Sequence, residues 1–167
     1  MSKPFEPMKA ASKIPNLEDI KYPCMASFKL DGIRCAARHG KPMSRNMKVI
    51  PNKYVQQVFE EHQLHGFDGE LYLCGDHEFN KAQSAFMSVS GKPAFYLASF
   101  DWTHEQDIHL PFIKRIRAGY EAARPDFVYW LVQHVIDTPE ELTELYNEAL
   151  NRGYEGLVVR DMAGPGS

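Results

Sequence analysis

An Asp-Gly pair between two apolar runs is the feature that most limits what this chain can form. Met25 to Leu30 enters the pair and Ile33 to Arg38 leaves it, so the centre reads Phe28-Lys29-Leu30-Asp31-Gly32-Ile33-Arg34. Asp-Gly in such a setting is a strong turn signal, and the plainest expectation is a β-hairpin over Met25 to His39. The same stretch also carries a lysine suited to chemistry. A lysine is a nucleophile only when neutral, and the free side chain is almost wholly protonated at neutral pH. Apolar flanks and a neighbouring cation such as Arg34 favour the neutral amine. Its attack on phosphorus or a carbonyl carbon would leave a covalent intermediate. On these residues alone, hairpin and nucleophile both stand.

The rest of the chain supplies mixed elements. Asn52 is placed to cap a helix running to about Leu64, with Tyr54, Val55, Val58, Phe59 and His62 at helical spacing. Phe67 to Cys74 reads as a strand, and Phe79 to Val89 as a helix with Phe79, Ala82, Phe86 and Met87 on its apolar stripe. Ala94 to Trp102 is rich in strand formers. Leu110 to Ala123 reads as a third helix, with Pro111 in its first turn, and Phe127 to Ile136 as a strand. Thr138-Pro139-Glu140-Glu141 is a capping box with proline at the first helical position. That fourth helix buries Leu142, Leu145, Tyr146, Ala149 and Leu150 and ends at Gly153. Leu157 to Arg160 follows as a buried strand. Strands and helices are mixed without strict alternation, which favours an α+β fold over a doubly wound parallel sheet.

A length of 167 residues fits one domain able to bury a core. A formal net charge of −3 gives no global attraction to nucleic acid, so any polyanion site must be a local basic patch. Cys24, Cys35 and Cys74 are an odd set without metal-ligand spacing, as expected of reduced thiols in a cytoplasmic protein. No apolar run reaches membrane-spanning length, so no membrane is expected among the partners, and the N-terminus lacks a secretory signal. Pro4, Pro7, Pro15 and Pro23 suggest an extended arm over residues 1–22, ahead of a domain at 23–167.

Further polar groups need explaining. Ser44-Arg45-Asn46 places a cation in a polar turn; an exposed loop arginine is its plain explanation. Asp68-Gly69-Glu70 embeds carboxylates in an apolar strand, which a strand emerging from a turn would also account for. Phe100-Asp101-Trp102 ends an aromatic strand, and core packing alone would explain it. Glu155-Gly156 leads into Leu-Val-Val, where a carboxylate beside a buried strand needs a partner. Taken together these supply a nucleophilic amine, two arginines for phosphate or ribose, a ring able to stack on a base and carboxylates for Mg²⁺ or a ribose hydroxyl. Nucleotidyl transfer to a lysine requires that set. No Walker loop and no Gly-x-Gly-x-x-Gly is present.

In this order the motifs resemble the nucleotidyltransferase (adenylylation) domain of ATP-dependent DNA ligases, most closely the bacteriophage type, within the covalent nucleotidyltransferase superfamily. Lys29-Leu30-Asp31-Gly32-Ile33-Arg34 is similar to the family's KxDGxR motif, Ser44-Arg45-Asn46 to its SRN element and Asp68-Gly69-Glu70 to its DGE strand. Phe100-Asp101 matches the aromatic-Asp strand, and Glu155-Gly156-Leu157-Val158-Val159-Arg160 the EGLVVK/R strand. The resemblance runs from about Pro23 to Pro165. It implies antiparallel sheets flanked by helices in an ATP-grasp-like arrangement, with ATP in a groove between them. It also implies roles. Lys29 attacks the α-phosphate and holds AMP as a phosphoramidate, Arg34 and Glu70 contact ribose, Arg45 contacts phosphate, Phe100 stacks on adenine and Glu155 binds Mg²⁺. Ser27 and Phe28 complete the nucleotide-binding set. The expected partners are ATP and nicked duplex DNA, with roles in repair and replication and a host-cytoplasm setting if phage-encoded.

Two departures qualify this. Many DNA ligases have a Glu two residues before the lysine to read adenine, and here Ser27 stands there. The family also continues into a motif with two lysines on the α-phosphate and then an OB-fold domain, and the chain stops at Ser167 before both. Those lysines act where charge develops in the transition state. The expectation is therefore a domain that binds ATP but self-adenylylates slowly or not at all unless a partner chain supplies the missing parts. An RNA ligase, a capping-type guanylyltransferase and a non-catalytic nucleotide- or nucleic-acid-binding module are the alternatives.

Overall fold

A computed structural model describes residues 19–75 and 79–163. Most of the arm expected at 1–22, and the turn or tail expected beyond Ala163, lie outside the described residues. In chain order the elements are β1 (Cys24–Phe28), β2 (Ile33–Arg38), β3 (Lys41–Met43), α1 (Lys53–Glu61), β4 (Phe67–Leu73), α2 (Phe79–Met87), β5 (Phe95–Trp102), α3 (Phe112–Glu121), β6 (Val128–Trp130), β7 (His134–Ile136), α4 (Pro139–Asn151) and β8 (Leu157–Asp161). The fold is α+β, as expected. The described residues divide into two compact units, 19–30, 108–114 and 132–163, and 31–75, 79–107 and 115–131.

The first unit holds a three-stranded sheet in the order β7-β1-β8, antiparallel throughout. Its helix α4 starts as the sequence prescribes. Thr138 Oγ1 accepts from the Glu141 amide at 3.2 Å, and Glu141 Oε1 accepts from the Asp137 amide at 2.9 Å. Acidic residues in this first turn also suit the helix dipole. Gly153, at φ 89°, takes up the left-handed conformation just past the helix end. Leu142, Leu145 and Ala149 pack with Cys24, Ala26, Ile136, Leu157 and Val159 into one apolar cluster. Leu150, expected on that face, is 44% exposed. It lies about 100° round the helix from Ala149, past the edge of the buried stripe.

The second unit holds a five-stranded sheet in the order β3-β2-β4-β5-β6. Every pairing is antiparallel except β5 with β6, which is parallel. Val55 and Phe59 of α1 and Ala82 and Phe86 of α2 enter its core beside Leu71, Phe95 and Leu97. Phe79 and Met87 of the expected α2 stripe are instead 38% and 40% exposed. Asn52 is fully buried and does more than cap α1. Its Oδ1 accepts from the Val55 amide at 3.0 Å, while Nδ2 donates to Ser88 O and Ser90 O, at 2.9 and 3.0 Å, just past the end of α2.

Two expected elements are rearranged. The hairpin over Met25 to His39 does not form, because β1 joins the first unit's sheet and β2 pairs with β3 and β4. Gly32 is not among the residues at positive φ, which the tight hairpin turn would demand. It is needed for space, since a Cβ there would come within 2.5 Å of Leu71 O. The strand expected over Phe127 to Ile136 is split into β6 and β7, which join different sheets.

Candidate active site

Each unit carries part of the residue set singled out in the sequence. In the first, Lys29 follows directly on β1, whose register with β8 pairs Phe28 with Leu157. The Lys29 amide donates to Gly156 O at 2.8 Å, so the ladder carries on to the lysine and sets its backbone beside Glu155-Gly156. Lys29 Nζ lies 3.6 Å from Glu155 Oε2, with the side chains 28% and 62% exposed. At that distance and exposure the pair is a loose ion pair screened by water. A solvent-reachable amine thus stands beside a solvent-reachable carboxylate.

Ser27 and Phe28 occupy opposite faces of β1, as strand alternation requires. Ser27 is buried. The Phe28 ring stacks on Tyr154 at 4.8 Å and meets His134 at 5.8 Å, with the Arg152 guanidinium 5.7 Å from its centroid. That places Phe28 with the apolar cluster under α4.

In the second unit the register pairs Arg34 of β2 with Glu70 of β4. Two residues along β4 on the same face, Asp68 receives the Arg34 guanidinium as a fork, Nε to Oδ1 at 2.9 Å and Nη2 to Oδ2 at 2.8 Å. Burial works to lower the Arg34 pKa, but the charge and hydrogen bonds of Asp68, with Glu70 and Asp101 behind them, push it up, so the guanidinium stays charged. It lies 5.2 Å from the centroid of the Phe100 ring, a cation–π distance. Glu70 Oε2 accepts from the Gly32 amide at 3.1 Å, holding the Asp-Gly stretch against β4. Arg45 is exposed in a turn closed by Ser44, whose amide donates to Lys48 O at 2.7 Å and whose Oγ accepts from the Lys48 amide at 3.2 Å.

Two features of this arrangement went unread in the sequence. Gly69 sits where the β4–β5 register shifts, and a Cβ there would lie 1.9 Å from Ala98 O, so only glycine lets the strands approach. Below Phe100, Asp101 is 1% exposed and takes Arg115 of α3 as a buried fork, Nε to Oδ1 at 3.1 Å and Nη2 to Oδ2 at 3.2 Å. Asp101 Oδ1 also accepts from the Trp102 amide at 2.7 Å. The available signal was spacing: Arg115 falls three residues after Phe112, on the helix face that Phe112 and Ile116 bury.

The two sheets and their helices match the fold of solved nucleotidyltransferase domains. The chain's solved neighbours are ATP-dependent DNA ligases, and the fold is that of their adenylation domain. The Chlorella virus DNA ligase-adenylate superposes with a TM-score of 0.78 at 27% identity, over 92% of this chain and 60% of that one. A Lig E DNA ligase superposes at 0.75 with 21% identity over 93% and 62%, and the bacteriophage T7 ligase in complex with ATP at 0.56 with 16% identity over 95% and 63%. The last two show likeness of fold. The chain therefore spans about three fifths of these ligases. No family model and no curated protein sequence matches it. Among the described residues no helix is long and apolar enough to cross a membrane.

Proposed function

We propose that this chain is the adenylylation part of an ATP-dependent DNA ligase, with Lys29 as the nucleophile. The observation that carries the reading is the Lys29 amine, 3.6 Å from the Glu155 carboxylate, on a backbone held to Gly156 by the β1–β8 ladder. The Lys29 nitrogen attacks the α-phosphorus of ATP. The nitrogen–phosphorus bond forms as the bond to the pyrophosphate oxygen breaks, and the amine's proton leaves to solvent. Glu155 offers an exposed carboxylate oxygen, the hard donor that Mg²⁺ takes. Mg²⁺, when bound there, would neutralise phosphate charge. Arg34 and Glu70 hold the ribose, Phe100 stacks on adenine, Arg45 takes phosphate, and Ser27 lines the nucleotide, while Phe28, whose ring packs under α4, acts by fixing the strand that leads to Lys29.

Sealing of nicked duplex DNA belongs, in this reading, to the whole ligase. There residues 1–22 form an arm, residues 23–167 form the nucleotidyltransferase domain, and a further lysine motif and OB fold complete it in the same chain or a partner.

The test is ATP binding, measured by equilibrium dialysis, together with transfer of label from α-labelled ATP in Mg²⁺. Saturable ATP binding and slow labelling abolished by Lys29→Ala are the expected results. Labelling that survives Lys29→Ala, or no ATP binding at millimolar nucleotide, would overturn the reading. GTP preferred over ATP would favour a capping-type guanylyltransferase.

A further inference from the structure

In the second unit, three side chains outside the proposed nucleotide set converge at one end of the five-stranded sheet. His39 follows β2, His65 precedes β4 and Glu105 follows β5. His65 Nε2 contacts Glu105 Oε1, and His39 Nε2 lies 3.4 Å from Glu105 Oε2. The two imidazoles stack with centroids 4.2 Å apart. One donor atom from each of the three lies within 4.8 Å of the others, and among the described residues this is the one cluster of its kind.

The backbone holds the cluster in shape. His39 sits at φ 51°, a left-handed conformation uncommon outside glycine, although histidine is among the residues that adopt it more often. Its amide donates to His65 Nδ1 at 2.9 Å. Three segments far apart in sequence thus bring two nitrogen donors and one oxygen donor to one point, with His39 and Glu105 open to water.

We propose that His39, His65 and Glu105 form a binding site for a divalent transition-metal ion of the zinc type, with water in its remaining coordination positions. Two imidazoles and one carboxylate are a borderline donor set that suits Zn²⁺, Ni²⁺ or Co²⁺ and disfavours Mg²⁺, which seeks oxygen. The ion ties the ends of β2, β4 and β5 to one another. The plainer alternative is a hydrogen-bonded cluster in which His65 Nε2–H donates to Glu105. The His39 amide occupies the Nδ1 lone pair of His65, so in the metal-free protein Nε2 carries that proton. Coordination through Nε2 moves the ring proton to Nδ1 and costs the His39 amide its acceptor. An exposed amide can turn to solvent, so that cost weakens the site without forbidding it. The site is independent of the adenylylation reading, and neither failure implies the other.

The chelator-treated chain is titrated with ZnSO₄ by calorimetry and unfolded thermally with and without Zn²⁺. One Zn²⁺ per chain is expected, with an unfolding midpoint raised by about 5 °C at saturation and no such shift from Mg²⁺. His39→Ala and Glu105→Gln, both at exposed positions, are each expected to weaken binding at least about tenfold. His109→Ala leaves binding unchanged. Absence of saturable one-to-one binding overturns the proposal, as does binding that His39→Ala and Glu105→Gln leave intact.

Discussion

Two kinds of ion pair share this small chain. Asp101–Arg115 is closed to water, with side chains 1% and 2% exposed and a fork of hydrogen bonds. Lys29–Glu155 is open, 28% and 62% exposed, and touches through one distance of 3.6 Å. Removing one partner of a closed pair strands a charge in a medium that cannot solvate it. Removing one partner of an open pair leaves the other to water. The closed pair therefore belongs to the frame, and the open one is free to exchange its partner for a substrate or an ion. Arg34–Asp68, with side chains 19% and 8% exposed, stands between the two.

This contrast can be broken by experiment. The largest effect is expected at the closed pair, where Asp101→Ala or Arg115→Ala should cost about 3–5 kcal/mol in urea unfolding. Lys29→Ala and Glu155→Gln should stay within about 0.5 kcal/mol of the parent in the same assay. Equal losses at both pairs would erase the distinction. Arg34→Ala should fall between, at about 2 kcal/mol for the loss of charged hydrogen bonds in a partly solvated place. A value near zero would class Arg34 with Lys29 as a side chain kept for a ligand.

The smallest effect concerns pH. Burial, with the charges of Asp161 and Asp137 behind it, pushes the Cys24 thiol up to about 11. The unfolded thiol ionises near about 8.5. The folded state thus favours the neutral form, and this contribution is whole below the unfolded value and disappears as pH rises toward 11. Urea midpoints taken across that window should decline more steeply in the parent than in Cys24→Ala. Parallel profiles would show that this thiol does not contribute.

What the sequence made legible was whatever is written locally. The start of α4 lies in four adjacent residues, Thr138 to Glu141, and its end in Gly153, so both could be read directly. The Asp31-Gly32 pair misled because a turn signature reports only that the chain bends, not which strand waits beyond the bend. Here Gly32 answers to β4, nearly forty positions on. The break within Phe127 to Ile136 likewise follows from two sheets claiming its two ends. The motifs singled out Lys29 and Glu155, which neighbour one another in the first unit, and Arg34, Glu70 and Phe100, which neighbour one another in the second. They did not disclose that Asp68 takes the Arg34 fork, since that depends on the β2–β4 register. Arg115 was hidden because a lone arginine in an amphipathic helix looks like any solvated charge until its aspartate is known.

The Lys29 amide bonded to Gly156 O has one more consequence. Sheet pairing has a period of two, so a slip of a single position between β1 and β8 would swing the amine to the opposite side of the sheet. The side of the sheet on which the amine stands is in that sense reported by strand alignment. Any change that loosens this short ladder would part the lysine from Glu155 while leaving it chemically intact.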